Sequence, residues 1–118
     1  MTIREIAERI EATVYAEPDQ LDIDLQGAFG SDMMSDVLAY VKDQSVLLTG
    51  LVNPQVIRTA EMMDMICLVF VRSKKPTPEM VKLAHEHGLV VLATDKRMYE
   101  ACGILYSNGL TSKEVKRR

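Results

Sequence analysis

Apolar positions along the chain alternate between helical spacing and short unbroken runs. Ile3, Ile6, Ala7 and Ile10 recur every three to four residues, leaving Arg4, Glu5, Glu8 and Arg9 on the opposite face. Thr2 with Glu5 three residues later is a capping box, which predicts a helix start. The stretch "ATVYA" then reads as a short strand, and "EPDQLD" as a turn punctuated by Pro and Asp. Alternation of Ile23, Leu25 and Gly27 in "IDLQGAF" predicts a second strand. A helix over residues 32–42 follows, with Met33, Met34, Val37, Leu38 and Val41 as its apolar face.

From Ser45 the pattern becomes regular. "SVLLTG", "MICLVFV" and "LVVLA" are compact apolar runs, the form of strands buried on both faces. Between them lie amphipathic segments opened by Asn53-Pro54 and Thr77-Pro78, both cap-then-proline starts. Thr94-Asp95 is expected to open a last helix running to about Ser107, with Gly109 suited to its end. Strand and helix alternating over short connections predict an α/β fold: a three-layer α/β/α domain with a mostly parallel sheet. One domain is expected over residues 1–112, followed by a basic tail at 113–118.

Composition narrows the function classes. Six aromatics and no Trp argue against a base-stacking platform, so no nucleic-acid partner is expected. The net charge is −3, but "KEVKRR" holds four basic residues and one acidic, leaving the first 112 at 10 basic and 16 acidic. A solvated terminal segment explains that tail more simply than a partner does. Cys67 and Cys102 sit in apolar surroundings far apart in sequence and are expected to be reduced thiols, which fits the cytoplasm. No stretch has the pattern of a signal peptide or the length of a membrane span.

In a parallel sheet, ligands settle outside the carboxyl ends of the strands. Here those ends predict Gly27–Asp32, Thr49–Asn53, Arg72–Thr77 and Thr94–Lys96. Asp32, Thr49, Asn53, Arg72, Lys74 and Thr94 are the candidate ligand-binding residues. Arg72 and Lys74 would pair with a phosphate or carboxylate, Thr49, Asn53 and Thr94 would donate hydrogen bonds, and Asp32 would accept from a hydroxyl. The plain alternative is that these residues are helix caps and connections. "GAFGSD" lacks both the Gly-Lys-Ser/Thr ending of a P-loop and G-x-G-x-x-G spacing, so it reads first as a turn using glycine's backbone freedom. Asp32 would then offset a helix dipole.

Catalytic constellations are thin, and no catalytic residue, metal ligand or cofactor is expected. His85 and His87 stand two apart on a helix, about 200° around it, and cannot share a metal. No Ser or Cys occupies a nucleophile motif. Eight methionines are many for this length; Met33/Met34 and Met62, Met63 and Met65 read as core or as the seam of a homodimer.

"LDIDLQGAFGSDMMSDVLAY" resembles the signature of the DRTGG domain family: acidic turn, strand, glycine, aromatic, then Asp and a helix containing Ser-Asp. "IREIAERIEATVY" resembles the family's opening helix and strand, and the segment from "VNPQVIRTAEMM" to "GILYSNGL" its later half. In the name motif Asp22 matches, with Ile23, Gln26 and Ala28 replacing Arg, Thr and the second Gly; Gly27 and Asp32 are kept. The resemblance implies a regulatory module similar to the N-terminal, non-kinase domain of HPr kinase/phosphorylase. Similar domains occur inside phosphotransacetylases, between CBS domains of pyrophosphatases, and free-standing beside hydrogenase and signalling genes. Together with the basic residues at the strand ends, this resemblance predicts a non-catalytic domain sensing a small anionic metabolite or nucleotide. The alternative it leaves open is a ligand-free dimeric adaptor for a hydrogenase-associated or signalling partner.

Overall fold

A computed structural model describes residues 1–40 and 45–111, with side chains left aside at residues 39 and 40. The end of the helix expected over 32–42, Val41 of its apolar face and the basic tail at 113–118 lie outside the described residues. The chain order is α1 (Ile3–Arg9), β1 (Thr13–Ala16), a 3-10 turn (Pro18–Gln20), β2 (Gly27–Gly30), α2 (Met34–Tyr40), β3 (Ser45–Thr49), α3 (Pro54–Met62), β4 (Cys67–Phe70), α4 (Pro78–Glu86), β5 (Val90–Ala93) and α5 (Met98–Ser107). The sheet order is β1-β5-β4-β3-β2. β2 to β5 are parallel, and β1 joins β5 antiparallel. This is the mostly parallel α/β sheet that the apolar runs predict.

Local sequence accounts for the helix starts. The Thr2 hydroxyl accepts from the Glu5 amide while the Glu5 carboxylate accepts from the Thr2 amide, closing the capping box. Asn53 accepts from the Gln55 and Val56 amides, and Thr77 from the Met80 amide, each just before a proline at the first helical position. These side chains satisfy amides that the helix itself leaves without partners.

Steps from β2 to β3, β4 and β5 all run the same way across the sheet. Connections of one hand therefore put α2, α3 and α4 on one face. Strand side chains alternate to match. Leu47, Leu68, Phe70 and Val91 join Val37, Val56, Ile57, Ala60, Met80 and Ala84 in one core. Val46, Leu48, Cys67, Val69, Val90 and Leu92 join Ile3, Ile6, Ile10, Ala101 and Leu105 in the other, beneath α1 and α5.

Three sequence expectations are corrected here. The second strand covers only Gly27–Gly30, not residues 23–29. Before it, the backbone is spent on the N-terminal segment: Ile3 and Arg4 amides donate to the Ile23 and Leu21 carbonyls, and the Leu25 amide to Met1. Neither glycine of "GAFGSD" has a positive φ, so this turn does not draw on glycine's backbone freedom. A Cβ on Gly30 would stand 3.0 Å from the Cys102 sulfur and 3.2 Å from that of Met98, so α5 lies directly on β2. Finally, α5 begins at Met98, and residues 94–97 form a loop.

The two cores make a stability contrast measurable. Ile6→Ala removes a side chain that is fully enclosed and should cost about 3 kcal/mol in urea denaturation. Tyr99→Ala, on an exposed side of α5, should stay within about 0.5 kcal/mol.

Candidate functional site

The carboxyl ends of β3, β4 and β5 bring three loops together, and the last two diverge. After β4 the chain turns to α4 on one face; after β5 it turns to α5 on the other. Neighbouring parallel strands whose loops leave to opposite faces open a crevice between them, the placement that favours ligands in α/β sheets. A cleft of about 500 Å³ lies there, lined by Arg72, Ser73, Asp95 and Arg97.

The loop after β4 is held in a costly shape. Arg72 and Ser73 both adopt left-handed backbone, with φ of 60° and 61°, which non-glycine residues avoid because Cβ crowds the following carbonyl. Two hydrogen bonds from the β5 loop enforce it: the Arg72 amide donates to the Lys96 carbonyl at 2.8 Å, and the Ser73 amide to the Thr94 carbonyl at 3.1 Å. Strain of this kind persists where the surroundings over-determine it. The consequence is that Arg72 points its side chain back over the end of β3.

There it meets Gly50 and Asp32. A Cβ on Gly50 would fall 2.2 Å from Arg72 Nη2, so a side chain there would push the guanidinium aside. Asp32 Oδ1 accepts from the Gly50 amide at 2.6 Å and from the Thr49 hydroxyl at 3.1 Å. Its Oδ2 stands 3.7 Å from Arg72 Nη2. Asp32 stands two residues before α2, and its hydrogen bonds run across the loops to Thr49 and Gly50.

The six candidates thus divide. Asp32, Thr49 and Arg72 form one cluster. Lys74 is exposed on the same loop, beside Lys75. The Asn53 carbonyl oxygen caps α3. Thr94 is buried; its hydroxyl donates to the Ile10 carbonyl at 2.6 Å and accepts from the Lys96 amide at 3.2 Å, pinning the end of α1 to the β5 loop. The sequence reading stopped that loop at Lys96 and so missed Arg97. It also passed over Gly50, whose requirement depends on where Arg72 turns. Among the described residues Arg97 makes no ion pair, whereas Lys96 lies 3.6 Å from Glu11 and 3.9 Å from Glu100.

Other groups support a structural role. His85 pairs with Glu17, and His87 lies 3.7 Å from Glu61. No group of three or more His, Cys, Asp or Glu gathers for a metal among the described residues. Both cysteines are free thiols. Burial pushes each thiol above its ordinary pKa, Cys67 furthest because it is fully enclosed. No described helix is long and apolar enough to cross a membrane.

Fold and cleft define a small α/β domain with an open crevice at the carboxyl edge of a parallel sheet. The chain belongs to the DRTGG domain family, whose profile matches residues 5–107. No curated protein matches it. Among solved structures it is similar to the CBS and DRTGG domains of the regulatory region of Clostridium perfringens pyrophosphatase, complexed with its activator, diadenosine tetraphosphate. That likeness has a TM-score of 0.77 at 11% identity and covers 96% of this chain. This chain spans about half of that one, 51%. Taken contiguously, the five letters of the family name fall on Asp24-Leu25-Gln26-Gly27-Ala28, not across Asp22 and Ile23. Leu25 then stands at the arginine position and is buried in the core beside α1, so no charge is presented there.

Two outcomes follow from these placements. Thr94→Val should lower stability by about 1–2 kcal/mol in chemical denaturation, because the Ile10 carbonyl and Lys96 amide lose their partner; wild-type stability would contradict the pin. Cys67 should resist a disulfide thiol reagent at pH 7 until the domain unfolds, with Cys102 slower than free cysteine, since so little of either is thiolate.

Proposed function

We propose that this chain is a non-catalytic regulatory domain that senses a small anionic ligand, most simply a nucleotide, in the cleft between the β4 and β5 loops. The observation that carries the reading is that Arg72 and Arg97 both line a crevice where two loops diverge. Guanidinium groups bind phosphate oxygens through forked, charge-assisted hydrogen bonds. Ser73 lines the same cleft and offers a hydroxyl, and Lys74 and Lys75 on the adjoining turn add positive charge. Asp95, on the cleft wall, is suited to a ribose hydroxyl and would disfavour an anion placed directly against it. Thr49, Asn53 and Thr94 serve as framework. Family membership supports a regulatory rather than catalytic role, and the nucleotide activator of the pyrophosphatase regulatory region makes nucleotides the first class to try.

A thermal-shift screen tests this directly with adenine and guanine nucleotides, diadenosine tetraphosphate, acyl phosphates and small carboxylates. A ligand at about 100 times its Kd adds roughly 2.7 kcal/mol, worth several degrees for a domain of this size. Arg72→Ala and Arg97→Ala should each abolish the shift while leaving the unliganded melting temperature within about 2 °C, since both side chains are exposed. Unaltered binding in both variants would remove the site from this cleft.

The second reading, a homodimeric adaptor without a ligand, is favoured by one observation: Met33 and Leu38, at and within α2, are 60% and 47% exposed. Met33→Glu with Leu38→Glu should then convert a dimer to a monomer in sedimentation velocity. A wild-type chain that sediments as a monomer would dismiss that seam.

A further inference from the structure

Asp32 is an anion already in contact with Arg72, one of the residues that line the cleft. Its carboxylate takes the Gly50 amide, the Thr49 hydroxyl and the near side of Arg72. Those three groups cradle the Asp32 carboxylate, and of them Arg72 alone lines the cleft. The cradle is built rather than accidental. Glycine at position 50 is what lets the guanidinium lie against the β3 loop, and the left-handed backbone at Arg72 is what turns it there. Asp32 is also the last residue but one before α2, so a shift of its carboxylate moves the chain that enters that helix.

We infer that Asp32 is an internal competitor for the anion site, and that a bound oligophosphate displaces it from Arg72 and releases the first turn of α2. This rests on the reading of the cleft as an anion site and adds its regulation. The physical basis is exclusion. Arg72 cannot present Nη2 to a ligand phosphate while that nitrogen faces Asp32, and two anions at that distance repel each other. Asp32 is about half exposed, as is Arg72, so the internal pair is weak enough for a multiply charged ligand to break. Met33, exposed just before α2, adjoins the part that is released, and Leu38, also exposed, follows it directly. Binding in the cleft is thereby coupled to the surface of α2, and by linkage anything that fixes α2 weakens the ligand to the same degree.

The test compares wild type, Asp32→Asn and Arg72→Gln, with inorganic tripolyphosphate as the probe. Calorimetric titration gives affinity, and hydrogen–deuterium exchange follows the amides of residues 34–38. Asparagine keeps an acceptor for Gly50 and Thr49 while removing the competing charge. Asp32→Asn should tighten tripolyphosphate binding about fivefold. In wild type the probe should speed exchange at 34–38; in Asp32→Asn, where no charge is displaced from Arg72, the probe should change it less. Binding that is lost in Arg72→Gln but unchanged or weakened in Asp32→Asn would overturn the competitor and leave the anion site standing. Tripolyphosphate binding that ignores Arg72→Gln, or fails in wild type and Asp32→Asn alike, would overturn both. Slower exchange at 34–38 on binding in wild type would overturn the release of α2.

Discussion

Burial of the sheet on both faces is the constraint from which the rest of this domain follows. β3, β4 and β5 have no side free for water, so successive residues must feed two separate cores. Three helices cover one face because three consecutive connections step the same way. The other face needs its own cover, and α1 and α5 supply it. The chain must therefore cross from one face to the other after β5. That crossing separates the β4 and β5 loops and opens the cleft.

Chemistry at the cleft depends on the same crossing. The β5 loop passes beside the β4 loop before leaving for α5, and its carbonyls hold Arg72 and Ser73 in left-handed backbone. Thr94 fixes that loop from beneath by gripping the end of α1. A packing requirement in the core thus ends as the direction of one guanidinium. The side chains that touch a ligand in this account are few; most polar residues at the carboxyl edge hold the loops that aim them.

Much of the fold was legible because its signals are local. Thr2 with Glu5, Asn53 before Pro54, and Thr77 before Pro78 each bind amides within three residues, so their spacing alone announces them. The runs at 45–50, 65–71 and 89–93 needed only their unbroken apolarity. What escaped depends on distant partners. Residues 23–26 alternate like a strand, yet pair with the N-terminal segment instead of β3. Thr94 resembles a helix cap, but its hydroxyl turns to Ile10, 84 positions away. Arg72 was legible as a cation at a strand end, while its contact with Gly50 and Asp32 required three loops to meet. Arg97 was hidden because the start of α5 was placed three residues too early.

The most direct test of an anion site between the β4 and β5 loops is a titration of the isotopically labelled chain with diadenosine tetraphosphate, followed by amide chemical shifts. The account predicts saturable shifts centred on Gly50, Arg72, Ser73, Asp95 and Arg97, with the amides at the opposite edge of the sheet, around Asp64 and Gly88, unmoved. Shifts centred at that opposite edge would contradict it, as would a spectrum unchanged by this compound and by every nucleotide in the screen.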